Sequence, residues 1–303
     1  MTKLTDFQKK IMELLPDIEL RLEEPLSRHT SFRIGGAAEV MAFPKDTEAL
    51  SRLMKVSDLL DCKPAILGAG TNVLAPDQGM RGLVICLKDC LDGVEYLTDN
   101  RLRVMAGVTM TRAAVSAASH CLSGLEFAHG IPGTVGGGVY MNAGAYGGEI
   151  CQVCESVDVM SADGTVTTLS RDEMAFSYRH SILEDNGGIV VSVVFRLTEK
   201  PEAEIRERMR ELMAKRSASQ PLELPSAGSA FKRPEGGYAA ALIDQAGLKG
   251  FTVGGAGIST KHAGFAVNLG GATAEDVKSL LKQVSDSVLE KTGIRLEPEI
   301  RIW

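Results

Sequence analysis

Apolar residues recur at three- and four-residue spacing along residues 47–60 and 109–121, which predicts two amphipathic helices. A shorter one is predicted at the start of the chain, ending before Pro16. Short apolar runs at 40–43, 64–67, 83–85, 102–105, 154–159 and 189–197, bounded by glycine and polar turns, read as strands. Near residue 200 the texture changes. Residues 202–217 predict a highly charged helix with Ile205, Met209, Leu212 and Met213 on one face, broken by Ser217-Ala218-Ser219-Gln220-Pro221. Gly236-Gly237-Tyr238 then leads into a helix through Ala246, which Gly247 and Gly250 end. Thr273-Ala274-Glu275-Asp276 has the form of a capping box. Behind it Val277, Leu280, Leu281, Val284, Val288 and Leu289 make a core-facing stripe up to Gly293. Such short mixed pieces predict an α+β fold rather than a doubly wound sheet. The main boundary is expected near 200, with two α+β lobes before it and a smaller α+β part after it.

Residues 125–148, LEFAHGIPGTVGGGVYMNAGAYGG, interrupt this pattern: eight of the 24 are glycine and none is lysine or arginine. Glycine admits positive φ and close approach of backbone to a ligand. The run is expected to be neither a stable helix nor a plain strand. It predicts a chain of tight turns whose amides converge on an anion such as a diphosphate. A second loop, Gly68-Ala69-Gly70-Thr71-Asn72-Val73-Leu74, follows the strand candidate at 64–67 and precedes a turn at Pro76-Asp77-Gln78-Gly79. It lacks the third glycine and following helix of a Rossmann fingerprint, and the Gly-Lys-[Ser/Thr] of a Walker loop. Together the two loops point to a large dinucleotide held mainly by backbone dipoles.

A formal charge of −6 gives a nucleic-acid partner no electrostatic support. No apolar run approaches a membrane span, and the N-terminal residues have no apolar signal core, so a cytoplasmic protein is expected. The six cysteines are expected to be free thiols. Cys151-Gln152-Val153-Cys154 has redox-motif spacing, but it opens a strand candidate; a strand from Cys151 would put the thiols on opposite faces. The five histidines show no zinc-ligand spacing, and no metal is expected.

With Thr30-Ser31-Phe32-Arg33-Ile34-Gly35-Gly36 before them, the two glycine loops resemble the FAD-binding half of the UDP-N-acetylenolpyruvoylglucosamine reductase family. The resemblance continues through Tyr178-Arg179-His180-Ser181, Gly228-Ser229-Ala230-Phe231-Lys232-Arg233-Pro234 and Ala246-Gly247-Leu248-Lys249-Gly250. It extends through Lys261-His262-Ala263-Gly264-Phe265 to Leu296-Glu297-Pro298-Glu299-Ile300-Arg301, in the expected order over nearly the whole chain. It implies a two-part FAD-binding domain of the PCMH (vanillyl-alcohol-oxidase-like) type in residues 1–200. It also implies a substrate-binding α+β domain in 201–303, whose last strand, 296–303, returns to the active site. The activity implied is NADPH-dependent reduction of UDP-N-acetylglucosamine enolpyruvate to UDP-N-acetylmuramate through non-covalent FAD. His129, in the glycine segment, is the residue to check for covalent attachment.

The same resemblance assigns roles. Gly68, Ala69, Gly70, Thr71, Asn72 and Val73, with Ile131, Pro132, Gly133, Thr134, Gly136, Gly137, Asn142, Ala143, Gly144 and Ala145, would hold the cofactor. Ser229 would protonate the carbanion left after hydride transfer. Arg179 would stabilise the developing aci-carboxylate, a task suited to a permanently charged bidentate group. Glu299 would polarise the enolate or orient the acid, and its pKa would be raised beside a growing anion. Glu297, two residues earlier, shares its strand face and could be confused with it. Tyr178, Lys232, Arg233 and Lys249 are candidates for the substrate, with Lys232 also a possible helper to Ser229. The chain resembles the shorter form of the family, without an inserted tyrosine-bearing loop. Two rivals remain open: an FAD oxidase or dehydrogenase with another substrate, and a non-catalytic nucleotide-sugar binder.

Overall fold

Thr5 caps the first helix, α1 (Asp6–Leu14), in a full capping box with Gln8. Residues 4–303 are described by a computed structural model, and packing divides the chain into two units. The first comprises residues up to Leu22, Glu39–Ala69 and Arg81–Ala214; the second comprises Glu23–Ala38, Gly70–Met80 and Lys215–Trp303. The sequence places its boundary near 200 in chain order. The packing division falls later, inside a helix, and the second unit also takes in 23–38 and 70–80.

In the first unit α1 is fixed by Glu39, whose carboxylate accepts from Thr5 Oγ1 at 2.6 Å and from the Gly82 amide at 2.8 Å. Helix α2 (Thr47–Leu59), capped by Asp46, buries Leu50, Leu53 and Met54. One sheet runs in the order Glu19–Pro25, Ala37–Phe43, Met80–Cys86, Ala65–Leu67, with the last two strands parallel. The other runs Val166–Ser170, Cys154–Met160, Ile189–Arg196, Arg101–Met105, Val94–Leu97, all antiparallel. Its central strand, Ile189–Arg196, is buried on both faces, which is why its sequence reads as an apolar run broken only by Ser192 before the final Arg196. Helix α3 (Met110–Ser119), capped by Thr109, packs small alanines inward.

The glycine segment differs from expectation. Val135–Tyr140, VGGGVY, is a short helix, α4, capped by the Thr134 hydroxyl. Glycine's entropic cost is met here by close packing. A Cβ on Gly136 would lie 2.9 Å from that of Ala106, and one on Gly138 would lie 2.8 Å from Met110 Sδ. A short helix, α5 (Leu183–Asn186), and the charged helix α6 (Glu202–Ser219) follow; Ile205, Met209 and Leu212 are buried, as the apolar face of α6 predicts. Cys151 sits in a 3-10 turn, and the strand begins at Cys154. All six cysteines are free, and burial pushes Cys154 up to about 12.

The second unit has its own core under a sheet ordered Ser226–Ser229, Phe265–Asn268, Ala256–Ile258, Thr252–Val253. Helix α7 (Ala239–Gln245) and helix α8 (Ala274–Thr292) cover it. Thr273 and Asp276 form the capping box of α8, and Gly293 ends it in the left-handed conformation. The Asp77 carboxylate accepts from the Ala274 and Glu275 amides at 2.8 and 3.2 Å, where an anion complements the helix dipole.

Candidate functional site

In the first unit the two glycine segments meet. Strand Ala65–Leu67 runs into Gly68, and a Cβ there would stand 2.5 Å from Thr134 Oγ1. Thr134 is buried, and Gly133 before it has φ +140°, open to glycine. The α4 amides are spent internally: Val135 donates to Val108 O at 2.8 Å, Gly136 to Ala106 O at 2.9 Å and Gly138 to Thr134 O at 2.9 Å. A diphosphate therefore cannot draw on those donors. The amides of Gly68, Ala69, Gly133 and Thr134, by contrast, find no acceptor among the described residues. The buried Nδ1 of His129 also has none, and burial holds this imidazole below its usual pKa and neutral. Unspent amides on both sides of the Gly68–Thr134 contact and an orphan ring nitrogen fit a bound FAD.

Beside this segment lies the Arg179 turn. Ser177 and His180 exchange backbone hydrogen bonds at 3.1 and 3.2 Å, leaving Tyr178 and Arg179 at the turn's centre, with Arg179 at φ +57°. Arg179 Nη2 donates to Gly144 O at 3.3 Å, and its guanidinium lies 5.1 Å from the half-exposed Tyr178 ring. Asn142 is 1% exposed, and its amide group is committed. Nδ2 donates to Glu149 Oε2 at 3.1 Å and to Ser177 O at 3.0 Å, while Oδ1 accepts from the Cys151 amide at 2.9 Å. Ala143 donates its amide to Gly138 O, and Gly144 and Ala145 form a two-residue strand with Gly148–Glu149.

In the second unit Ser229 and Glu299 come together through the backbone. Ser229 ends strand Ser226–Ser229 opposite Phe265, after an irregularity in register around Gly228 at φ +76°. The next residue, Ala230, accepts the Glu299 amide at 2.9 Å, and Phe231 bridges Pro298. Ser229 is exposed and Glu299 half-buried. Asn72 Nδ2 donates to Glu299 O at 3.2 Å, and the strand pair Arg301–Ile302 with Val73–Leu74 runs alongside. Gly70 has φ +61°, and a Cβ there would meet His29 O at 2.1 Å, so only glycine fits. Glu297 pairs with Lys232, its Oε1 lying 2.5 Å from Lys232 Nζ. Lys249 pairs with Asp244 at 2.9 Å, and the Arg233 guanidinium stacks 4.3 Å from the Tyr238 ring centroid.

Some residues that organise these sites carried no chemical signal in sequence. Ser31 Oγ donates to Ser226 O at 2.6 Å, and Ser181 Oγ, fully buried, donates to Tyr140 O at 2.6 Å. Both lie within quoted motifs, but nothing local says that a serine will reach 195 or 41 residues along the chain. His262 accepts the Gly264 amide on Nδ1 at 3.1 Å; burial, with Lys249 adding to it, keeps the ring neutral.

Residues 38–170 match the FAD binding domain family, and residues 220–303 match the family described as UDP-N-acetylenolpyruvoylglucosamine reductase, C-terminal domain. The chain is 47% identical to the UDP-N-acetylenolpyruvoylglucosamine reductase of Agathobacter rectalis, over 98% of each protein. It is 42% identical to that of Streptococcus pneumoniae, over 97% of each. The crystal structure of the Thermus caldophilus enzyme superposes with a TM-score of 0.79 at 38% identity, covering 94% of this chain and 98% of that one. At fold level alone, an alkyldihydroxyacetonephosphate synthase structure superposes with a TM-score of 0.50 at 17% identity, over 65% of this chain and 41% of that one. The architecture is thus α+β, with a PCMH-type FAD-binding part. The chain belongs to the UDP-N-acetylenolpyruvoylglucosamine reductase family.

Proposed function

We propose that this chain reduces UDP-N-acetylglucosamine enolpyruvate to UDP-N-acetylmuramate at the expense of NADPH, a step in making peptidoglycan precursors. Family membership over nearly the full chain supports the activity. The observation that carries it is the convergence of Gly68 on Thr134, with four unspent amides around that contact. Bound there, FAD supplies hydride transfer from NADPH to the outer carbon of the enolpyruvyl group.

The chain's own residues handle charge and proton. Gly68–Ala69 and Gly133–Thr134 hold the diphosphate by backbone amides, and His129 meets the cofactor without covalent attachment. Arg179 faces the substrate carboxylate, where fixed positive charge stabilises the electron density that builds during the reaction. Ser229 gives its hydroxyl proton to the inner carbon, and Glu299, one residue across the paired backbone, orients that hydroxyl. Lys232, Lys249, Arg233 and Tyr178 bind the UDP-sugar; the two lysines exchange surface ion pairs of small worth for substrate oxygens. Residues 1–200 form the cofactor domain and 201–303 the substrate domain. The protein acts in the cytoplasm without nucleic acid or membrane; among the described residues no helix is long and apolar enough to cross one.

The purified protein is expected to show a flavin absorption spectrum. In D2O its product should carry deuterium at the inner carbon, which takes a solvent-derived proton. A colourless protein, or deuterium at the outer carbon alone, would remove this reading.

A further inference from the structure

We infer that Asn142 is a positioning residue for Arg179, and not a cofactor ligand. The inference rests on the proposed role of Arg179. Asn142 stands at φ +44°, a conformation in which asparagine is favoured over most side chains. It is buried, and its side chain makes three hydrogen bonds: to Glu149 Oε2, to Ser177 O, and from the Cys151 amide. Its own amide goes to Val139 O at 3.1 Å. With both Nδ2 hydrogens spent, no donor remains for a diphosphate.

One of those bonds grips Ser177, the residue that closes the Arg179 turn. Two more ties bracket the turn: Ser181 Oγ to Tyr140 O, and Arg179 Nη2 to Gly144 O. The segment from Tyr140 to Gly144 thus holds the turn from both ends and at its tip. Arg179 itself sits in the left-handed region, which a non-glycine residue keeps only where its surroundings over-determine it. Asn142 and Ser181 supply that constraint. The Asn142–Ser177 bond sets where the turn begins, and therefore where the guanidinium ends.

The test is a double-mutant cycle on the full protein. Asn142→Asp keeps the shape and the acceptor for Cys151 but removes the donor to Ser177 and to Glu149, whose carboxylate it then faces. It is expected to retain a full complement of flavin by absorbance ratio and to be reduced by NADPH at the wild-type rate. Reoxidation by the enolpyruvyl substrate should slow by about 10- to 100-fold, the scale of a misplaced catalytic group. In an Arg179→Ala background the same change should alter that rate by no more than about twofold, since the group it positions is gone. Ser181→Ala, which deletes one hydroxyl, should show a smaller slowing with the same dependence on Arg179 and covers the case in which Asn142→Asp fails to fold. Flavin loss in step with activity would make Asn142 a cofactor ligand and overturn the inference. Equal slowing in both backgrounds would also overturn it. If Arg179→Ala alone leaves reoxidation unchanged, the role of Arg179 has failed instead.

Discussion

A serine hydroxyl is a weak acid in water, so Ser229 can protonate a carbanion only with a nearby cation or a proton relay to stabilise the alkoxide it leaves. The structure puts Ser229 at a strand end beside Glu299, while Lys232, its nearest cation in sequence, is held by Glu297. Lys232 therefore helps Ser229 only if substrate draws it from that pair. Ser229→Ala should leave flavin reduction by NADPH near normal, because serine acts after hydride transfer. Reoxidation by the enolpyruvyl substrate should fall by about 10²–10⁴-fold, the usual cost of a lost general acid. Stopped-flow absorbance resolves the two phases, and wild-type reoxidation in the variant would assign the proton to another group.

At the scale of elements, the glycines of α4 separate packing from binding. Gly136 faces Ala106 at a distance that admits no Cβ, so Gly136→Val overpacks the core, typically at about 1–3 kcal/mol, and should lower Tm and lose flavin together. Gly137 is exposed, and a Cβ there would be 3.5 Å from Thr134 Oγ1, an ordinary contact. Gly137→Ala should therefore hold or raise Tm, by up to about 1 kcal/mol of helix propensity. If cofactor lies over it, flavin affinity drops all the same; equilibrium dialysis beside calorimetry distinguishes the cases. Helix α1 gives a pH test. Burial pushes Glu39 up, but the Gly82 amide and Thr5 hydroxyl outweigh it and hold the carboxyl below its ordinary range. A depressed folded pKa adds stability that is complete above the unfolded value and is lost as pH falls through the folded one. Glu39→Gln should cost about 1.5–3 kcal/mol at neutral pH, the worth of hydrogen bonds to a charged group. The deficit should shrink below about pH 4; a constant deficit across the titration would contradict it.

These elements also show where the sequence is transparent. Helices α2, α3, α7 and α8 carry their periodicity locally, so their ends could be read to within a residue or two, while for α1 only the end before Pro16 was legible. The strand Ile189–Arg196 announced itself as an apolar run broken only by Ser192 before the final Arg196. Helix α4 did not, because its stability comes from Ala106 and Met110, remote in sequence, and propensity alone forbids it. The bond from the Glu299 amide to Ala230 O, next to Ser229, could not be read locally, since pairing between segments so far apart in sequence leaves no local trace. The hydrogen bonds of Asn142 were hidden for the same reason: nothing in the surrounding glycines says that its side chain meets Glu149, Ser177 and Cys151.

At the scale of the whole molecule, the two units have separate cores, and the chain crosses between them several times. The first carries the glycine segment and the Arg179 turn; the second carries Ser229, Glu299 and the two lysines. The proposed catalytic cycle has two half-reactions that can be watched apart. The most direct measurement is anaerobic stopped-flow absorbance of the flavin band in the wild-type protein. NADPH should bleach the band, and UDP-N-acetylglucosamine enolpyruvate, added without oxygen, should restore it within the turnover time. Restoration by oxygen but not by the enolpyruvyl substrate would contradict the account and make the protein an oxidase or a dehydrogenase of another substrate.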